Sequence, residues 1–189
     1  MKGFKFDIEK LEKLNDPERL KDIPPDYIWD KLNLTSPETI IDIGAGTGFF
    51  SIQFARKKSV KKVFALDIAE EMISWMKKNV VPKNEKIVPA TMNESSTDLP
   101  DETADAVIMI NVHHEFNDPI KILNEVYRLL KKGGKTAIVD WAKKETEHGP
   151  PVAKRYTPEE IQQQLNTTNF KNTLIYKDMP SHYLLTGEK

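Results

Sequence analysis

From Thr39 to Trp141 the chain alternates short, β-branched apolar runs with stretches of helical spacing, and few folds accommodate that rhythm. The runs are Thr39–Ile43, Val63–Asp67, Lys86–Val88, Ala106–Ile110 and Lys135–Trp141. Ala106–Ile110 is apolar on both faces, as parallel strands beneath helices are. Between the runs, Phe50 and Phe54 share one helical face, and Met72, Ile73 and Met76 mark a second helix. Ile120, Leu123, Val126, Leu129 and Leu130 mark a third, capped by Asp118-Pro119 and expected to run until Gly133-Gly134 stops it. Thr157-Pro158-Glu159-Glu160 is a capping box that opens one more helix. Thr173–Tyr176 and His182–Leu185 predict a closing hairpin around Met179-Pro180-Ser181. Repeated strand–helix units imply right-handed crossovers and a sheet covered on both faces, so the fold class is α/β, doubly wound.

The first 38 residues break this rhythm. They are polar and divided by Pro17, Pro24, Pro25 and Pro37. Asp16-Pro17 and Pro24-Pro25-Asp26 look like helix starts, and Tyr27, Ile28, Leu32 and Leu34 form one apolar face. Too few apolar residues are present here to fold alone, so residues 1–38 are expected to be a helical extension packed on a domain spanning 39–189.

Composition removes several classes of function. With 189 residues the chain is one domain's worth, and the formal charge of −1 supplies no field for gripping a phosphate backbone. Zero cysteines exclude a disulfide framework, a thiolate metal site and a cysteine nucleophile. Ala106–Ile110, the longest strongly apolar run, is far short of the ~20 residues that span a bilayer. Met1–Lys5 leads into Asp7 and Glu9 rather than an apolar segment, so the expectation is a cytoplasmic protein.

In doubly wound sheets ligands bind beyond the carboxyl ends of the strands. The first such end is Asp42-Ile43-Gly44-Ala45-Gly46-Thr47-Gly48-Phe49, where glycines let the backbone approach a ligand and the following helix offers unpaired N–H groups. A dinucleotide fingerprint would carry its third glycine where this chain has Phe49, which counts against a nicotinamide or flavin cofactor. The second end is Asp67, an acceptor-only carboxylate suited to ribose hydroxyls and equally able to cap the helix that follows. The next end with chemistry is Asn111-Val112-His113-His114-Glu115-Phe116. Its histidines can line a pocket or act in acid–base chemistry, and His113, His114 and Glu115 could together contribute to a metal site, although neighbouring side chains of an extended segment point apart. Asp140-Trp141 ends the fifth run, and the long loop 142–156 beyond it has the length of a lid or binding loop.

Taken together, Asp42–Gly48, Asp67, the Leu99-Pro100-Asp101 before Ala104–Val107 and the Lys131–Lys135 turn resemble the class I S-adenosylmethionine-dependent methyltransferases, most closely the UbiE-like, type 11 branch. The likeness is clear over residues 39–141. It implies a Rossmann-like, mostly parallel sheet with an antiparallel C-terminal hairpin. It also implies S-adenosyl-L-methionine as cofactor and S-adenosyl-L-homocysteine as product. In that family the positions of Gly44 and Gly46 hold the methionine part and that of Asp67 the ribose; Asp42 and Ile68 flank these motifs. Met92 and Asn93 match the adenine stretch, although the usual Gly-Asp-Ala is absent there. Asn111 matches the position beside the methionine end.

Nucleobase amino-group enzymes of this fold carry an Asn/Asp-Pro-Pro-aromatic run at 111–114, and this chain does not. His114 is the candidate general base, with an ordinary pKa near ~6.5, and no metal is assigned. The expected acceptor is a small molecule, with neither nucleic acid nor membrane as partner, and the assembly a monomer or dimer. An NAD(P)-dependent oxidoreductase and a non-catalytic S-adenosylmethionine-binding module are the alternatives.

Overall fold

The computed structural model describes residues 8–189; Met1–Asp7, including most of the charged start noted above, lie outside the described residues. Three short helices come first: α1 (Ile8–Leu14), α2 (Arg19–Asp22) and α3 (Pro25–Leu32). There follow β1 (Thr39–Ile43), α4 (Phe49–Ala55), β2 (Lys62–Asp67), α5 (Glu70–Asn79), β3 (Ile87–Thr91), β4 (Ala104–Ile110), α6 (Pro119–Leu129), β5 (Leu130–Trp141), α7 (Pro158–Thr167), β6 (Lys171–Tyr176) and β7 (His182–Glu188). The strands form one sheet in the order β3-β2-β1-β4-β5-β7-β6. β1 to β5 are parallel, while β7 inserts antiparallel between β5 and β6. The chain winds outward through β2 and β3, then returns to lay β4 on the other side of β1, which makes the carboxyl ends of β1 and β4 the switch point.

The period-2 pattern sorts strand side chains onto two cores. Ile40, Ile108 and Val139 face a cluster built with Ile28 and Leu32 of α3, Phe50 and Phe54 of α4, and Met76 of α5. Ile41, Met109 and Ile138 face the opposite cluster, with Leu123, Val126 and Leu129 of α6 and Leu165 of α7. The N-terminal segment therefore shares the main core through Ile23, Ile28 and Leu32, each at most 1% exposed.

Several elements depart from the expected boundaries, β7 running as far as Glu188, and two of the departures have a local cause. β3 continues through Pro89, which the sheet tolerates because β3 is an edge strand paired only with β2. α6 stops at Leu129 rather than at the glycines, since Leu130 turns extended and pairs with Ala104. The register then jumps to Lys135 opposite Ala106, so Lys131–Gly134 bulge out of the ladder. Gly133 takes φ +76° there, and its amide donates to the Lys189 carbonyl while Lys189 N–H donates to Gly134 O. The Thr157–Glu160 capping box forms as expected.

Candidate active site

The glycine turn after β1 is shaped by its neighbours. Gly44 has φ +71°, and a Cβ there would lie 2.4 Å from Val112 Cγ2, so the loops after β1 and β4 touch only because Gly44 has no side chain. Gly46, at φ +56°, donates its amide to Asp67 Oδ2 at 2.8 Å, and Ala69 N–H donates to Oδ1 at 2.9 Å. Asp67 thus caps the turn into α5 and reaches across from β2 to fix the glycine loop. A carboxylate offers about four lone-pair directions, so acceptor capacity remains toward the space above it.

That space is a cleft of about 730 Å³. Gly44, Gly46 and Asn111 border it on one side and Asp67, Ile68 and Met92 on another, with Ile68 63% exposed. Glu94 closes the rim by accepting from Asn117 N–H at 3.0 Å and Nδ2 at 2.7 Å. A second chamber of about 240 Å³ shares Leu14, Gly44, Gly46 and Asn111 with the cleft. Lys13, Arg19, Asp42, Ala45, Thr47, Phe49, Phe50, Ile110 and Trp141 complete its walls.

Asp42 is 3% exposed and accepts from Ser51 Oγ at 2.5 Å. Burial pushes its carboxyl up to about 7; the Asp67 charge adds to this, while Ser51 and Arg19 oppose it. Arg19 lies over the Phe49 and Phe50 rings, 5.4 and 4.8 Å from their centroids, and donates to the Leu14 carbonyl. Thr47 Oγ1 and Asn111 Oδ1 are buried without a hydrogen-bond partner.

The two neighbouring histidines diverge. His113 is fully buried against Phe116 and Tyr156, and its Nε2 meets Gln164 Oε1 at 2.8 Å. Burial lowers its pKa, with Gln164 opposing. His114 turns to Asp140: Nδ1 sits 2.7 Å from Oδ1, and its backbone N–H donates to Oδ2 at 3.0 Å. Its Nε2 lies 3.2 Å from Glu115 Oε1. Burial depresses the His114 imidazole, but the two carboxylates outweigh burial and hold it above its ordinary value. The His114 side chain is only 4% exposed and borders neither cavity; Glu115 borders the cleft. Trp141 stacks on His182 with centroids 4.1 Å apart, and burial lowers the His182 pKa to about 4.

Of the residues expected from sequence, Gly44, Gly46, Asp67, Ile68, Met92, Asn93 and Asn111 come together around the cleft, and Asp42 borders the adjoining chamber. Sequence reasoning missed Leu14, Arg19, Thr47 and Phe116 as site residues, and weighed Glu115 only as a metal ligand. Thr47 and Phe116 sit inside motifs already inspected, whereas Leu14 and Arg19 carry no local signal. The loop 142–156 folds against Trp141: Arg155 donates to the carbonyls of Ala142, Lys144 and Pro150, and to Thr146 Oγ1. Among the described residues no group of three or more His, Asp or Glu is arranged to hold a metal, and no helix is long and apolar enough to cross a membrane.

A family model described as a methyltransferase domain matches residues 41–138. Among curated proteins, the uncharacterized methyltransferase YdaC of Bacillus subtilis is 28% identical over 109 residues, covering 58% of this chain and 59% of that protein. A demethylmenaquinone methyltransferase of Bacteroides fragilis is 31% identical over 106 residues, 55% of this chain and 43% of the relative. The chain thus spans about half the length of the curated relatives it matches. A solved S-adenosylmethionine-dependent methyltransferase from Aquifex aeolicus superposes with a TM-score of 0.87 at 29% identity, over 97% of this chain and 99% of that one.

Proposed function

Since the chain belongs to the S-adenosylmethionine-dependent methyltransferases, enzymes of the class I fold that take their methyl group from S-adenosylmethionine, we propose that it methylates a small organic acceptor in the 730 Å³ cleft. The site fits that cofactor on three counts. The glycine cradle leaves its backbone open to a ligand, with only Leu14 Cδ1, at 3.8 Å, near a Cβ built on Gly46. Asp67 retains acceptor capacity toward the cleft. Asn111 Oδ1 is buried and unpaired at the switch point.

When bound, S-adenosylmethionine supplies a sulfonium-bound methyl group that carries its own leaving group. The protein's tasks are therefore positioning, exclusion of water and disposal of the acceptor's proton. Asp67 would hold the ribose hydroxyls, Ile68, Met92 and Asn93 would line the adenine, and Gly44, Gly46, Asp42 and Asn111 would hold the methionine end. The base is Glu115 rather than the His114 expected from sequence, because His114 borders neither cavity: the cleft-facing carboxylate receives the acceptor's proton, while the imidazole, fixed by Asp140, orients it. His114 is on this reading a positioning residue, and Glu115 the group that meets the acceptor. Of the N-terminal extension, the part around Leu14 acts as a lid, an assignment supported by Leu14 on the rims of both cavities, while α3 belongs to the core.

A small acceptor is supported by the size of the cleft, about 730 Å³, and by relatives named for demethylmenaquinone and for 2-methyl-6-phytyl-1,4-hydroquinone. The expectation of a cytoplasmic monomer or dimer stands with this reading, and size-exclusion chromatography checks the assembly.

The observation that carries the proposal is Asp67, tied to the glycine loop and still open to the cleft. Calorimetric titration with S-adenosylhomocysteine tests it. Asp67→Ala should weaken binding by about 2–4 kcal/mol, as expected for a charged partner of two hydroxyls. Unchanged affinity in the variant would remove the assignment, and no binding to the wild type would remove the function. For the base, Glu115→Gln should lower turnover with cofactor affinity kept, and His114→Gln should shift the acid limb of the pH–rate profile. Wild-type profiles for both would discard the relay.

A further inference from the structure

Glu115 sits on a three-residue 3-10 turn, His113–Glu115, and a turn of this kind has too poor a hydrogen-bond geometry to fix a side chain by itself. Its own bonds run from Glu115 N–H to the Val112 carbonyl at 3.0 Å and from Phe116 N–H to the His113 carbonyl at 3.4 Å. A carboxylate that takes a proton from an acceptor has to stand within hydrogen-bond reach of it. The two histidines brace the turn by leaving it toward different elements. His114 is fixed by Asp140 at the end of β5, with Nδ1 2.7 Å from Oδ1. His113 reaches α7 instead.

His113 is fully buried, and its one side-chain hydrogen bond among the described residues is donated by Nε2–H to Gln164 Oε1 at 2.8 Å. Its Nδ1 has no partner. Gln164 is a firm post: α7 opens on a closed capping box, and Ile161 and Leu165 beside it are buried in the second core. The Phe116 and Tyr156 rings close on the imidazole, with centroids 6.5 and 5.5 Å away. An apolar side chain would fill that space without an unpaired nitrogen, so what the histidine adds is the directed bond to Gln164. Without Oε1 both ring nitrogens are orphaned among apolar groups. The imidazole then gains by turning toward water, and the short turn moves with it, taking Glu115 from its place on the cleft.

We propose that Gln164 is a positioning residue for the methyl transfer: through His113 it holds the His113–Glu115 turn, so that the Glu115 carboxylate faces the acceptor. The inference rests on the reading of Glu115 as the base. It adds a residue 51 positions from its partner in sequence and outside the segment matched by the family. His114 reports the outcome, because its Nε2 lies 3.2 Å from Glu115 Oε1. Burial depresses the His114 imidazole, while Asp140 and then Glu115 raise it. A turn that slips takes away the Glu115 share and leaves that of Asp140.

The test compares wild type, Gln164→Leu and Gln164→Glu by NMR titration of the histidine rings, amide exchange across 111–117 and turnover. Gln164→Leu removes the acceptor at similar volume. It should lower the His114 titration midpoint, as Glu115→Gln does, and speed exchange at the Glu115 and Phe116 amides. Turnover should fall about 10-fold, a part of the roughly 100- to 10,000-fold that a positioned general base contributes. S-adenosylhomocysteine should bind the variant as it binds wild type, which also shows that the variant is folded. Gln164→Glu keeps an acceptor of the same reach and should recover both protection and turnover. Added to Glu115→Gln, Gln164→Leu should lower turnover no further, since the carboxylate it places is already gone. A reduced melting temperature with wild-type His114 titration and turnover would make Gln164 a packing residue and overturn the proposal. Equal losses in Gln164→Leu and Gln164→Glu, or additive losses with Glu115→Gln, would overturn it as well. Wild-type turnover in Glu115→Gln removes the base reading and this inference with it; a loss there but none in Gln164→Leu removes the inference alone.

Discussion

Asp42 and His182 are buried titratable groups, and burial holds both neutral from opposite sides of the pH scale. The Asp42 carboxyl is raised by burial from 3.8 to about 7, so an unfolded chain ionises it where the folded one keeps the proton. Its contribution to stability is complete below about pH 4 and is lost as pH rises through 7. His182 is lowered by burial from 6.5 to about 4, so the unfolded chain takes up a proton first. Its contribution is complete above pH 6.5 and is lost as pH falls toward 4. The two slopes oppose each other between pH 4 and 6.5, each at most about 1.4 kcal/mol per pH unit. Relative to wild type, Asp42→Asn should therefore gain stability as pH rises across this window, and His182→Phe should gain it as pH falls. Urea unfolding at pH 4.5 and 6.5 measures both; flat differences would show that neither group is held neutral by the fold. At this scale the sequence was partly legible. Asp42 and Asp67 announce themselves by position after a strand. The closure of His114 by Asp140 does not, because the pair is 26 residues apart and meets only through the β4–β5 pairing.

Among the connecting elements, the bulge in β5 and the loop after it show two different demands on glycine. Gly133 has φ +76° with nothing within 4 Å of a built Cβ, so Gly133→Ala should cost only the backbone penalty of about 1–2 kcal/mol. Gly149 has φ +110°, and a Cβ there would lie 2.9 Å from the Trp141 ring, so Gly149→Ala must also displace the loop or the indole. Thermal melts should rank Gly149→Ala as the more damaging, with a changed near-ultraviolet signal from Trp141; equal costs and an unchanged spectrum would contradict the packing. The loop itself depends on Arg155, 4% exposed, which ties together four of its acceptors. Arg155→Met is expected to lose amide protection across 142–154 in hydrogen exchange while β5 and β7 keep theirs. The sequence identified this segment only by length. The staple was not legible, since an arginine in a loop reads as solvent-facing until the carbonyls it meets are known.

Over the whole molecule, the N-terminal segment divides into two parts with different work. Ile23, Ile28 and Leu32 sit in the core with Phe50 and Phe54, whereas Leu14 and Arg19 border the cavities. Removing residues 1–15 should leave a cooperatively folding protein with weakened ligand binding. Removing 1–38 should abolish cooperative unfolding, because it strips α3 and Ile23 from one face of the sheet. Ile28→Ala alone should cost about 2–5 kcal/mol, the range for a buried Ile-to-Ala cavity; a change under 1 kcal/mol would mean that α3 is peripheral. The sequence by itself determined the strand–helix alternation of 39–141, the glycine turn, the acidic end of β2 and the capping box of α7, all of which depend on residues a few positions apart. The tertiary structure decided the rest: the order of the strands, the insertion of β7 between β5 and β6, and the meeting of Arg19 with Asp42 and Trp141 around one chamber. Those arrangements come from crossovers that bury two apolar faces at once. Local periodicity specifies which faces must be buried, while the partner that buries each face is chosen by the fold as a whole.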